Sequence, residues 1–372
     1  MLMLALPASL LLAACGGSTS ASQPPLPRGT VGPLPPQTAC ADPSGIPQTR
    51  FGVDINVAQV GLANFGPLLD QAATLGVGWV RAGFSWKQIE PQPGQWDYTQ
   101  PDAIVAQAQA HHLHLLIGLG NTPQWALADP SAVAAGQDGP PADPAAFGAF
   151  AAAMATRYRG TVCAWRVYNE PWNTNKSWRG GTPAQYAATL AAAYTAIHSA
   201  AAEDLVMPGG VNCTFNPTDQ QAQRNNATFQ QLLTDPKYPM DRYMDIEDIH
   251  IGHSTVAMAR DKINCTQQAL THYGGAKRVW VTEFGYSSDP STQPLAAYRN
   301  GADAQAQYIR DVAPGVLALT GVAKIFWVYL TDNPTAAVPL ERSQGLIAAD
   351  GTPKPAFTAY QHVIAQSSAP GS

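Results

Sequence analysis

Charge is scarce in this sequence. Of its 372 residues only 13% are Asp, Glu, Lys or Arg, against roughly 25% in an ordinary globular domain. The 21 basic and 26 acidic residues leave a net charge of −5. Such a chain has no basic stripe, which excludes nucleic acid as a partner. Cysteine is scarce too. There are five, with no C-x-x-C pair, which removes a cysteine-built zinc site. What the chain does have is apolar residues, 45%, enough for a large core, so wholesale disorder is excluded. Gly and Pro are plentiful, at 32 each.

Residues 2–14 (LMLALPASLLLAA) form an apolar run, short of the ~20 residues that cross a bilayer. It suits a signal-peptide core, assigned to 1–14. No Lys or Arg precedes Arg28, so the basic start of such a signal is missing. Leu12-Ala13-Ala14-Cys15 resembles a bacterial lipobox. That likeness implies cleavage before Cys15, lipidation of Cys15 and an exported protein anchored in the envelope by lipid alone. Residues 15–47 carry Gly, Ser, Thr and PPLP-type runs and read as a tether. Export suits the four remaining cysteines, an even number.

From residue 48 to 368 the pattern alternates. Apolar runs near 51–56, 78–84, 113–120, 162–170, 205–210, 246–253, 278–286 and 322–330 are each followed by a stretch with helical spacing. The runs are continuously apolar, as in a parallel sheet covered on both faces. Eight such units predict one α/β domain, a (β/α)₈ barrel. A doubly wound open sheet is the rival, but no Gly-rich phosphate turn follows the first run.

In such a barrel the chemistry sits where strands end. The second run carries Arg81 and the third ends at Asn121, with Trp125 beyond it. The fourth ends in Asn169-Glu170-Pro171-Trp172, with Trp178 in its loop. The sixth ends at His250 and His253, the seventh at Glu283 with Tyr286 nearby, and the eighth carries Trp327. Two carboxylates therefore face one aromatic-lined crevice. Sugars need such surfaces, and glycosidic cleavage needs one carboxylic acid and one carboxylate.

Asn169-Glu170-Pro171, Glu283, RAGFSWKQIEPQPGQWDY (81–98) and GLIAADGTPKPAFTAY (345–360), in this order, resemble the clan of retaining β-glycosidases on (β/α)₈ barrels. The nearest likeness is to glycoside hydrolase family 39. The resemblance implies Glu170 as acid/base, Glu283 as nucleophile and Asn169 as partner of the sugar 2-hydroxyl. Arg81 would keep Glu283 ionised. His250 or His253 would stand where many members have a tyrosine that orients the nucleophile. Asn121, Trp125, Trp172, Trp178, Tyr286 and Trp327 would line the substrate. The expected activity is endo-hydrolysis of a polysaccharide or oligosaccharide by a monomer without cofactor or metal. An exo-acting β-xylosidase-like enzyme and a non-catalytic glycan-binding scaffold are the alternatives.

Other histidines carry less. His111, His112 and His114 fall at the end of a helix and the start of the third run, where a helix C-terminus favours imidazole through the dipole, on the far side of the barrel from Glu170. Asn212, Asn226 and Asn264 lie in N-x-T triplets that read as coincidence. The layout suggests disulfides Cys213–Cys265, on adjacent units, and Cys40–Cys163.

Overall fold

The computed structural model describes residues 50–367, apart from 132, 134–137 and 175–177. The expected signal and tether, with Cys15 and Cys40, lie outside the described residues. So does the proposed partner of Cys163.

Eight parallel strands form one sheet: β1 (Phe51–Asp54), β2 (Trp79–Ser85), β3 (His114–Gly120), β4 (Ala164–Val167), β5 (Leu205–Pro208), β6 (Ile246–His250), β7 (Arg278–Phe284) and β8 (Val322–Trp327). Their order, β5-β4-β3-β2-β1-β8-β7-β6, makes β1 and β8 neighbours. The remaining seam, β5 to β6, is bridged by Asp245. Its N–H donates to the Val206 carbonyl at 2.8 Å, and its Oδ2 accepts from the Val206 N–H at 2.8 Å. The result is the (β/α)₈ barrel that the alternation implied. Helices follow the strands, and most bounds agree with the apolar spacing. Helix Gln220–Leu233 differs. It starts six residues before the apolar stretch at 226, because Asp219 caps it by accepting from the Ala222 N–H at 2.8 Å. Among the described residues no helix is long and apolar enough to cross a membrane.

The barrel interior is layered. Its lower part is apolar and includes Trp79, Leu116, Ala164, Ile246, Trp280 and Phe326. Two residues further along the same strands, on the same inward face, the interior becomes charged: Arg81, Arg166 and Asp248, with Asp54 paired to Arg81 in register. Cys213 and Cys265 are joined, tying the loop after β5 to helix Val256–Tyr273.

Candidate active site

The strand ends above this charged layer are built by unusual backbone. Asn121, Tyr168, Glu170 and His253 all have positive φ, 61°, 56°, 45° and 57°. Side chains rarely adopt that conformation, and its cost is characteristic of functional sites. Gly209 makes the turn at β4 possible. The Glu170 N–H donates to its carbonyl at 2.6 Å, and a Cβ there would lie 2.7 Å from the Tyr168 carbonyl oxygen. On β7 the register shifts between Val281 and Phe284, and Glu283 stands opposite His250. Simple alternation inward through Trp280 and Thr282 would turn Glu283 away. The irregularity re-aims it.

Glu170, His250 and Glu283 thereby converge, each offering one atom within 4.8 Å of the others. His250 Nδ1 lies 3.2 Å from Glu170 Oε1 and 3.4 Å from Glu283 Oε2. Arg81 donates through Nη1 to Glu283 Oε1 at 2.8 Å and through Nη2 to Asp54 Oδ2 at 2.6 Å. Arg166 Nη1 stands 3.7 Å from Glu283 Oε1 and 3.8 Å from Asp248 Oδ2. Asp248 also accepts from Thr282 Oγ1 and lies 3.7 Å from His250 Nε2. Charges therefore alternate along a buried chain from Asp54 to Glu170.

The electrostatics follow. Burial alone would raise the Glu283 pKa, but His250, Arg81 and Arg166 outweigh it and hold the carboxyl down at about 2. Burial alone would lower His250. Glu283 and Asp248 outweigh it and push the imidazole up to about 9. His253 has burial and no compensating charge, so it falls to about 4 and is neutral. Three cationic groups around Glu283 make this trio a hydrogen-bonded carboxylate site and a poor cation site.

A cleft of about 760 Å³ opens beside the trio. Glu170, Trp172, His250, His253, Lys262 and Glu283 are among its lining residues. Its wall beyond β5 is stapled by Asp261, which accepts from Thr214 Oγ1, from the Phe215 N–H at 3.0 Å and from Asn216 Nδ2 at 2.8 Å. Lys262 donates to the His250 carbonyl at 2.7 Å. Asn169 Oδ1 and Trp172 Nε1 are buried beside Glu170 without a hydrogen-bond partner, and Trp172 lines the cleft.

Other expected contacts move away. Trp178 and Trp327 are fully buried and give their indole N–H groups to the carbonyls of Thr182 (3.1 Å) and Gln344 (2.8 Å). Tyr286 is equally buried, its hydroxyl donating to the Tyr298 carbonyl at 2.8 Å. These three pack the loops and offer no face to substrate. Trp125 is 36% exposed but stands edge-on to Trp86, outside the cleft lining. Asn121 is also outside that lining. Its N–H is held by Asp138, whose carboxyl burial pushes up to about 6 despite three backbone donors. Arg166, Asp54 and Asp248 were not singled out in the sequence. Asp54 and Arg166 are lone charges in otherwise apolar strands, whereas Asp248 stands next to Glu247 in β6.

A family model described as glycosyl hydrolase family 10 matches residues 82–363. The chain belongs to glycosyl hydrolase family 10. The endo-1,4-beta-xylanase A of Phanerodontia chrysosporium is 27% identical over 129 residues, 35% of this chain and 31% of that enzyme. The alignment thus spans under a third of the relative. Among solved structures, a family 39 glycoside hydrolase from Bacteroides cellulosilyticus WH2 superimposes with TM-score 0.64 at 17% identity, over 85% of this chain and 63% of that one. A family 10 endoxylanase from a sugarcane soil metagenome gives TM-score 0.58 at 16% identity, over 85% and 96%. The chain's family is thus family 10, and its likeness to family 39 is one of fold.

Proposed function

We propose that this family 10 hydrolase cleaves β-glycosidic bonds with retention, Glu283 as nucleophile and Glu170 as acid/base. The observation that carries the reading is the closeness of the two carboxylates, with one oxygen of each within 4.8 Å of the other. Retaining enzymes hold the pair about 5–5.5 Å apart, whereas inverting ones leave ~6.5–9.5 Å for a water. Arg81 occupies Glu283 Oε1, and the nearest donor to Oε2 is His250 at 3.4 Å. Oε2 is the freer oxygen and makes the attack. It bonds the anomeric carbon as the glycosidic C–O bond breaks, and the leaving oxygen takes its proton from Glu170. Glu170 then takes a proton from water as that water bonds the anomeric carbon, and the electron pair of the ester bond returns to Glu283. Asn169 and Trp172 hold sugar hydroxyls beside the acid.

The action is endo, on a hemicellulose-like backbone. Support comes from the cleft, which continues past the carboxylates along the loops after β5 and β6, and from the xylanases among its relatives. β-1,4-xylan is therefore the first substrate to try. Export and lipidation at Cys15 complete the reading, on the strength of the lipobox-like leader.

Two variants test the assignment. Glu283→Gln should abolish turnover. Glu170→Ala should lose far more on xylan than on an aryl glycoside with a good leaving group, and azide should restore rate as the β-glycosyl azide. Equal loss on both substrates without azide rescue would remove Glu170 from the acid/base role.

A further inference from the structure

The two arginines facing Glu283 are held very differently. Arg81 hydrogen-bonds both its acids, at 2.6 and 2.8 Å. Arg166 hydrogen-bonds neither of its own. Its Nη1 is almost equidistant from Glu283 Oε1 and Asp248 Oδ2, at 3.7 and 3.8 Å. Arg166 Nε and Nη1 are buried without a hydrogen-bond partner, as is Asp248 Oδ2. The neighbouring strands give it no other acid. Its register partners are Gly118 on β3 and Met207 on β5. Arg81 adds repulsion, and Asp54 lies on the far side of Arg81.

We propose that Arg166 is a positioning residue for the covalent intermediate. Glu283 and Asp248 share it in the resting enzyme, and Asp248 captures it when Glu283 becomes a glycosyl ester. The inference rests on the double-displacement reading above. Esterification removes the negative charge from Glu283 and leaves that of Asp248 intact. With the two distances nearly equal, the balance of attraction tips to Asp248. Hydrolysis reverses the shift. As the ester C–O bond breaks, its electron pair returns to the Glu283 oxygen, and Arg166 stabilises the departing carboxylate. A carboxylate without that second cation is a better nucleophile and a poorer leaving group. Loss of the Arg166 charge should therefore slow deglycosylation more than glycosylation.

The test uses the full-length enzyme and a 2,4-dinitrophenyl β-xylobioside, whose good leaving group makes deglycosylation limiting. For Arg166→Met, kcat should fall about tenfold or more and KM should fall with it. kcat/KM should stay within about threefold, since it reports only the steps up to glycosylation. Intact mass should find glycosyl-enzyme accumulated at steady state, and Arg166→Lys should recover much of kcat. The single variant leaves Asp248 buried without its cation, a known route to misfolding. Arg166→Met/Asp248→Asn removes both charges and carries the same expectation. A fall in kcat at unchanged KM, with no accumulated adduct, overturns the inference while leaving the glycosidase reading intact. A wild type inert on all glycosides contradicts that reading and the inference with it.

Discussion

His250 stands between the two carboxylates, 3.2 Å from one and 3.4 Å from the other. Its charge contributes to holding the Glu283 carboxyl at about 2. Removing it as His250→Asn should move the acid limb of kcat/KM to higher pH, because Glu283 would then need a higher pH to ionise. An unchanged limb would show that Arg81 and Arg166 suffice. His253 is the contrasting case, neutral by burial. Gln344 Nε2 lies 3.2 Å from its Nε2. The amide donates there, which leaves the imidazole proton on Nδ1. His253→Phe should therefore weaken KM several-fold and leave the pH profile in place. Catalytic candidates were legible at this scale because Asn169-Glu170-Pro171 and Glu283 stand at strand ends. Arg166 and Asp248 were not. A charge within VCAWRVYNE or IEDIHIGH reads as readily as a strand terminus, and only the closed barrel turns Arg166 and Asp248 inward.

At the scale of elements, the site depends on two turns and a staple. Gly210 has φ 68°, and a Cβ there would come within 2.5 Å of the His250 ring. Gly210→Ala adds both backbone strain and a collision with the proton-bearing ring. Activity on xylan should drop at least tenfold. A variant with wild-type rate would mean that His250 has room to retreat. The Cys213–Cys265 bond closes a loop of separation 52 and holds the cleft wall after β5. Cys213→Ser/Cys265→Ser should cost about 2–4 kcal/mol, read as a lower urea midpoint. The eight strands were readable because a strand buried on both faces must be apolar throughout. The irregularity in β7 was not readable, since no Gly or Pro marks it between Val281 and Phe284. The burial of Trp178, Tyr286 and Trp327 was hidden for another reason. The packing of the loops over them decides it, and an aromatic at a strand end or in a loop beside a cleft looks the same in sequence whichever way it faces.

For the whole molecule, the scarcity of charge becomes a matter of location. Six of the acidic and basic residues, with His250, form one alternating chain, from Asp54 through Arg81, Glu283, Arg166, Asp248 and His250 to Glu170. That chain sets a pH window. The depressed Glu283 pKa contributes stability that is complete above its unfolded value of ~4.3 and lost as pH falls through about 2. The raised His250 pKa contributes stability that is complete below ~6.5 and lost as pH rises through about 9. Both of these contributions are full between about pH 4.3 and 6.5. Glu283→Gln should flatten the alkaline fall in melting temperature, because His250 loses the charge that does most to raise its pKa. A fall as steep as wild type's would assign it to other groups. The central claim is that Glu283 forms the covalent bond while Glu170, within 4.8 Å of it, handles the proton. A 2-deoxy-2-fluoro aryl β-xylobioside tests it most directly, since the fluorine slows release of the intermediate and peptide mass mapping locates the label. The label should fall on the peptide carrying Glu283, at Glu283 itself. Steady turnover of xylan with no label, or with the label on another residue, would contradict the account.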